Sequence, residues 1–120
     1  FCWQASRGEP LSVWKTALNQ KRPYLDLADA SRSICFIIKK NLFDNETYNI
    51  LTNNHSVKDI IKEIKKNIKN IQISYVKNKI MNQLSYEVLN KKIIEKGFKF
   101  KGNLKNSIKK TLKLLDGLKH

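Results

Sequence analysis

The stretch 11–34, LSVWKTALNQKRPYLDLADASRSI, gathers Trp14, Pro23, Arg22 and Arg32 next to an Asp26-x-x-Asp29 pair. Lysine accounts for 21 of the 24 basic side chains of the chain. Arginine at 22 therefore suggests a demand that a lysine point charge does not meet, namely a planar fork of N–H donors. Other chemistry-bearing patterns fall away on inspection. Tyr75-Val-Lys-Asn-Lys79 has the Tyr-x-x-x-Lys spacing that sets an ammonium one helical turn from a phenol and lowers its pKa for proton transfer. Tyr75, however, ends a predicted strand, and Lys79 lies in the loop after it, so the spacing brings nothing together. GFKFKGN (97–103) carries Gly97 and Gly102 in the manner of a phosphate loop. Asn103 stands where the lysine belongs, and a helix precedes the run, so it reads as a helix stop and a turn. His55 precedes a helix cap and reads as solvated; His120 is the last residue. Cys2 and Cys35 have no metal or redox spacing and read as reduced thiols of a cytoplasmic protein. No Ser/His/Asp set, Cys/His cluster or framed carboxylate pair is present, so no catalytic or metal-ligating residue is expected.

Composition bounds the answer. With 120 residues and 41% hydrophobic content, the chain fits one domain with a modest core and is not disordered throughout. The longest apolar run, 34–38, is far short of the roughly 20 residues that cross a membrane. No basic segment followed by an apolar one opens the chain, so secretion has no support. The chain begins at Phe1, which predicts a segment of a longer protein. A net charge of +14 raises nucleic acid as a partner. The excess is uneven, with +2 over residues 1–55 and +12 over 56–120. Joint abundance of Lys, Asn and Ile follows from A/T-rich codons without selection for binding. Scarcity of arginine argues against sequence-specific reading of bases.

The elements that position these residues follow from periodicity. Residues 1–8 read as a helix end stopping at Gly8. Extended runs at Leu11–Trp14 and 24–27, around a polar link, suggest a hairpin or a strand pair across a long loop, with Pro23 at a strand start or edge. A helix over 28–40 should bury Ala30, Ile34, Ile37 and Ile38, with Asp26 or Asp29 serving its N-terminus. TYNIL (47–51) reads as a short strand. Ser56 with Asp59 forms a capping box before a helix whose stripe is Val57, Ile60, Ile61, Ile64 and Ile68. A strand at 71–76, a helix over 85–96 ending at Gly97, and a helix from an Asn103 cap through Leu104, Ile108, Leu112 and Leu115 complete a mixed α/β order.

Read together, GEPLSVW…NQKRPYLDLADASRSI, then TYNIL…SVKDIIKEI, then the tail NKKIIEKGFKFKGNLKNSIKKTLKLL, the chain resembles the C-terminal portion of the NAD-dependent epimerase/dehydratase family. These are extended short-chain dehydrogenase/reductases acting on nucleotide sugars. Gln20-Lys21-Arg22, Asp29 and Tyr48-Asn49 match, in order, the family's Q-x-R, its Asp pair and its Y-N. The resemblance implies an α/β fold, the C-terminal substrate-binding portion of such an enzyme, with about four helices and short strands and the Rossmann half missing. Residues 1–120 would form a single substrate-binding domain.

It further implies that Arg22 reaches the diphosphate of a nucleotide sugar and that Asn49 joins that site. Trp14 would border the nucleotide pocket, and Asp29 would cap its helix. Near Asn82-Gln83 many members hold phosphate and ribose with an Arg and an Asp; Gln83 is the substrate-binding candidate there, although the pair is neutral. Pro23, Ala28 and the missing glycine after Tyr48-Asn49 also depart from the pattern. NAD or NADP would be bound by a missing N-terminal Rossmann domain and not by this portion, which would be inactive alone. The expected role is nucleotide-sugar binding for an epimerase or dehydratase of cell-surface polysaccharide biosynthesis. TYNIL would pair with the missing sheet, leaving an edge that favours a homodimer. The alternative is a stand-alone lysine-rich nucleic-acid-binding module, distinguished by its salt dependence.

Overall fold

The computed structural model describes residues 1–77 and 84–117. The chain order is α1 (Cys2–Ser6), β1 (Leu11–Trp14), β2 (Lys21–Tyr24), α2 (Leu27–Lys39), β3 (Asn53–Ser56), α3 (Val57–Asn67), β4 (Ile73–Val76), α4 (Lys91–Glu95) and α5 (Leu104–Asp116). A 3-10 turn at Lys15–Ala17 separates β1 from β2.

Local signals dictate α3 most completely. The Ser56 hydroxyl accepts from the Asp59 N–H, and the Asp59 carboxylate accepts from the Ser56 N–H at 2.9 Å. Both donors would otherwise be orphaned at the helix start. Ile60, Ile61 and Ile64 are buried and Val57 and Ile68 line the edge, as the periodicity requires. α5 begins where Asn103 accepts from the Asn106 N–H at 2.9 Å, and it buries Ile108 and Leu112. These two stripes meet Ala5 of α1 and the inward residues of β1, Leu11 and Val13, in one core. Gly97 ends α4 at φ +101°, a conformation that a side chain resists.

The strands pair differently from the expected hairpin. β1 runs parallel to β4, from Leu11 opposite Ile73 to Trp14 opposite Val76. β2 runs antiparallel to β3, with Arg22 opposite His55 and Tyr24 opposite Asn53. The extended run expected at 24–27 is in fact Lys21–Tyr24, since Asp26 is drawn into the α2 cap. β1 alternates buried and exposed, so its in-plane partner must share the core, and β4 does. Pro23 sits in a two-stranded sheet, where a missing N–H is tolerated.

Three further expectations are corrected. TYNIL is not a strand: strand structure starts at Asn53, where β2 supplies a partner, and Tyr48 instead donates to Asp44 at 2.6 Å. The helix over 85–96 shortens to Lys91–Glu95. The segment before it lies extended along β2 and β3: Tyr86 N–H donates to Lys21 O at 3.3 Å, and Asn54 pairs with Val88 in both directions at 2.9 and 3.0 Å. Those bonds replace helical ones.

α2 is turned over as well. Asp29 and Ser33 are its buried residues; of the four expected inside, Ala30 and Ile37 are half-buried, whereas Ile34 and Ile38 are each 60% exposed. Asp26 is the cap, accepting from the N–H groups of Ala28 and Asp29. Asp29 has another task. Its carboxylate accepts from Lys101 N–H at 3.0 Å, Gly102 N–H at 2.9 Å, the Thr52 hydroxyl at 2.9 Å and the Arg32 guanidinium at 2.6 Å. Arg32 also donates to Lys99 O and stands 5.3 Å over the Phe98 ring. The buried charge sets the rotation of the helix, because four donors can compensate it only on that side. Gly102 is confined here: a Cβ would lie 2.7 Å from the Asp26 Cγ.

Candidate functional site

Alternation along β1 turns Trp14 outward while Val13 faces the core. The turn at Lys15–Ala17 then returns the chain, Gln20 N–H closing on Ala17 O at 3.0 Å, so that Arg22 of β2 comes alongside. Phe1, Val13, Trp14, Ala17, Gln20, Arg22 and Val57 line an open cavity of about 190 Å³. Two of the four residues predicted to bind substrate, Trp14 and Arg22, thus share one cavity across eight positions of sequence.

Arg22 is held from three directions. It donates to its neighbour's carbonyl, Lys21 O, at 2.9 Å and to the Gln20 side-chain oxygen at 3.3 Å. Its guanidinium stands 4.9 Å over the Tyr86 ring, a cation–π contact. Beside it Lys21 pairs with Glu87 at 2.6 Å, and that hydrogen bond raises the Lys21 pKa. Burial raises the Tyr24 phenol, with the Arg22 charge pulling weakly the other way. Tyr24 and His55 meet ring to ring at 6.2 Å on the same small sheet.

Asn49 is not among the residues lining this cavity. It is exposed, donating to Leu89 O at 3.3 Å. Gln83 falls outside the described residues. Sequence patterns gave no sign of Tyr86 and Glu87. They lie more than 60 residues from the partners they touch, and no local pattern reports such a contact.

The Asp26–Asp29 centre is not a second site. Burial alone would raise the Asp29 pKa, but the Lys101 and Gly102 N–H groups, Thr52 and Arg32 outweigh it and hold the carboxyl below its ordinary value. Asp26 is likewise lowered, chiefly by the Ser107 hydroxyl. Among the described residues no buried side-chain polar atom lacks a partner, and no group of His, Cys, Asp and Glu could hold a metal ion. No helix among them is long and apolar enough to cross a membrane.

Among the described residues the two direct strand-to-helix junctions, β2 to α2 and β3 to α3, lack the turn that a dinucleotide cofactor requires. Phosphates of such a cofactor need a glycine-rich turn from a strand into a helix. β2 reaches α2 through Leu25 and Asp26, and β3 runs directly into α3, with no glycine at either junction.

Comparison with known proteins places the fold. Neither a protein-family model nor a curated protein matches the sequence. Among solved structures, one described as a "Partial Consensus L-threonine 3-dehydrogenase (E-change)" superposes with a TM-score of 0.78 at 21% identity, over 97% of this chain and 40% of that chain. The chain therefore shares the mixed α/β fold of part of that structure and spans 40% of its length.

Proposed function

We propose that this chain is the substrate-binding part of an NAD(P)-dependent enzyme acting on a nucleotide sugar, as an epimerase, dehydratase or reductase. Trp14 and Arg22 would hold the nucleotide. The observation that carries the reading is their shared cavity, on a fold like part of a dehydrogenase. A guanidinium already fixed by Lys21 O, Gln20 and Tyr86 meets diphosphate oxygens with little further ordering. The indole, 41% exposed, offers a face for the base or ribose. At about 190 Å³ the cavity is smaller than the roughly 300 Å³ lower bound for whole-ligand pockets. It would take the nucleoside end, leaving the sugar to project from it. Residues of this chain would position the sugar, and the cofactor would be held elsewhere in the enzyme. A sugar nucleotide used in cell-surface polysaccharide assembly is the substrate class that the sequence resemblance favours.

The small cavity also favours a second reading. The structural neighbour is named for L-threonine, a ligand small enough for this space, and a carboxylate suits an arginine fork as a phosphate does.

Calorimetric titration of the chain with uridine, thymidine and guanosine diphosphate sugars, L-threonine and a short RNA separates these readings. One nucleotide sugar should bind saturably, and Arg22→Lys should weaken it by about tenfold, roughly 1.4 kcal/mol, while the far-UV circular dichroism shows the chain still folded. Binding of L-threonine alone would transfer the site to the second reading. RNA binding that falls steeply with salt, indifferent to Arg22, would favour the lysine-rich module and sink both.

A further inference from the structure

A second cavity lies where α5 meets the β2–β3 sheet. α5 packs against α1 and α3, and its Ser107 hydroxyl reaches across to donate to the Asp26 carboxylate at the start of α2. Beside that strut is a cavity of about 190 Å³, walled by β2 and β3 on one side and by α5 and Ile60 of α3 on the other. It shares no lining residue with the cavity of Trp14 and Arg22.

Ile60, Leu104 and Ile108 form an apolar part of the wall, and Ile60 and Ile108 are themselves buried. The polar part divides in two. Asp26, Thr52 and Ser107 are engaged by the fold: Asp26 accepts from the Ala28 and Asp29 N–H groups and from Ser107, and the Thr52 hydroxyl donates to Asp29 at 2.9 Å. Tyr24 and His55 are not. Both are half-buried, their rings meet at 6.2 Å and 49°, and neither side chain hydrogen-bonds to a described residue. Burial raises the Tyr24 phenol, so it keeps its proton at neutral pH and remains a donor. A ligand entering the cavity must meet both groups, because covering a polar group without a hydrogen bond is costly. A single hydroxyl has the lone pairs and the proton for both partners.

Size and charge limit the rest of the ligand. A cavity of roughly 150 Å³ lined by Leu, Ile and Phe accommodates benzene, so about 190 Å³ admits one ring and a small substituent. The Tyr24 and His55 rings favour an aromatic guest through edge and face contacts. The Asp26 carboxylate in the wall disfavours an anion. Its charge is already met by three donors, which leaves little for a cation.

We propose that this cavity is a second ligand site, which takes a neutral single aromatic ring bearing a hydroxyl group. A ring seated there would tie α5 to β2 and β3. The site does not depend on the nucleotide reading of Trp14 and Arg22.

The test is titration of the 120-residue chain with phenol, toluene and benzoate, followed through the carbon-13 methyl signals of Ile60 and Ile108. Phenol should shift these signals saturably with a dissociation constant on the order of 1 mM, as suits a ligand of so few atoms. Toluene, which lacks the hydroxyl, should bind about fivefold more weakly, and benzoate should leave the signals in place. Tyr24→Phe removes a hydroxyl that the fold does not use; it should bring phenol down to the affinity of toluene and leave toluene unchanged. Thr111→Phe, at an exposed position of α5 that lines the cavity, should fill the space and block both. Shifts centred on other residues, benzoate binding as well as phenol, or a phenol-to-toluene ratio indifferent to Tyr24→Phe would overturn the proposal, as would unshifted methyl signals in phenol at about ten times the expected constant. No nucleotide enters the assay, so failure of nucleotide-sugar binding leaves this result standing, and the converse also holds.

Discussion

Replacing Asp29 by alanine removes the acceptor on which four donors converge. Lys101 N–H, Gly102 N–H and the Thr52 hydroxyl would each lose the fully buried carboxylate as a partner, and Arg32 would keep only Lys99 O of its two bonds. Each buried donor left unmade costs about 1–3 kcal/mol. Their losses share one relaxation and do not simply add, so about 3–5 kcal/mol is the expected total, in line with breaking other buried charged pairs. Against a domain stability of about 5–15 kcal/mol this is a large fraction. With a urea dependence of about 2 kcal/mol per molar, the unfolding midpoint should drop by about 2 M. Urea unfolding followed by far-UV circular dichroism reads that shift. The Asp29→Asn variant tests the chemistry, because its amide would point a donor at donors; it should therefore approach the alanine variant. If Asp29→Asn kept the parent midpoint, or if alanine moved it by only about 0.3 M, within the scatter of such extrapolations, the carboxylate would not be the anchor of α2.

Two other perturbations act on the same framework. Gly102→Ala would press a Cβ to 2.7 Å from the Asp26 Cγ and should cost about 1–3 kcal/mol, as overpacking does; an unchanged thermal midpoint would mean that the loop moves aside freely. Acid should destabilise the fold through Asp26, Asp29 and Asp59, whose carboxyls all sit below their ordinary value. Asp59 is lowered chiefly by the Ser56 N–H, Asp26 chiefly by Ser107, and Asp29 by donors that overcome its burial. Since the unfolded chain takes up these protons first, the stabilisation is complete above about pH 4–5 and is lost as pH falls through the folded values. Urea midpoints measured from about pH 7 to about pH 3 should decline in that window, and a flat profile would contradict the geometry around these three carboxyls.

Legibility from sequence tracked the range of the interactions. The capping box of Ser56 and Asp59, the Ile60–Ile61–Ile64 stripe, the Asn103 cap and the stop at Gly97 are all decided within four residues, and each appears where the pattern puts it. Strand partners are decided by which edge shares a core, so β1 with β4 and β2 with β3 could not be read from a polar link between two extended runs. α2 misleads for a physical reason. Its apolar period says bury Ile34 and Ile38, yet the donors that fix Asp29 lie 72 and 73 residues downstream, at Lys101 and Gly102. At the site, Trp14 and Arg22 are close enough in sequence for β1, a turn and β2 to bring them together. Tyr86, which steadies Arg22, has no local signature at all, and Asn49 is held apart by its own bond to Leu89.

The central claim, a nucleotide held between Trp14 and Arg22, is tested most directly by nitrogen-15 NMR of the chain during titration with a nucleotide sugar that binds. The Trp14 indole and Arg22 side-chain signals should move together and saturate at one ligand per chain. The matching nucleoside diphosphate should reproduce both shifts, whereas the nucleoside alone should move the indole signal but little of the Arg22 signal, because the arginine reads phosphate. Shifts centred elsewhere, or an Arg22 shift as large with the nucleoside as with the diphosphate, would rule out this binding mode.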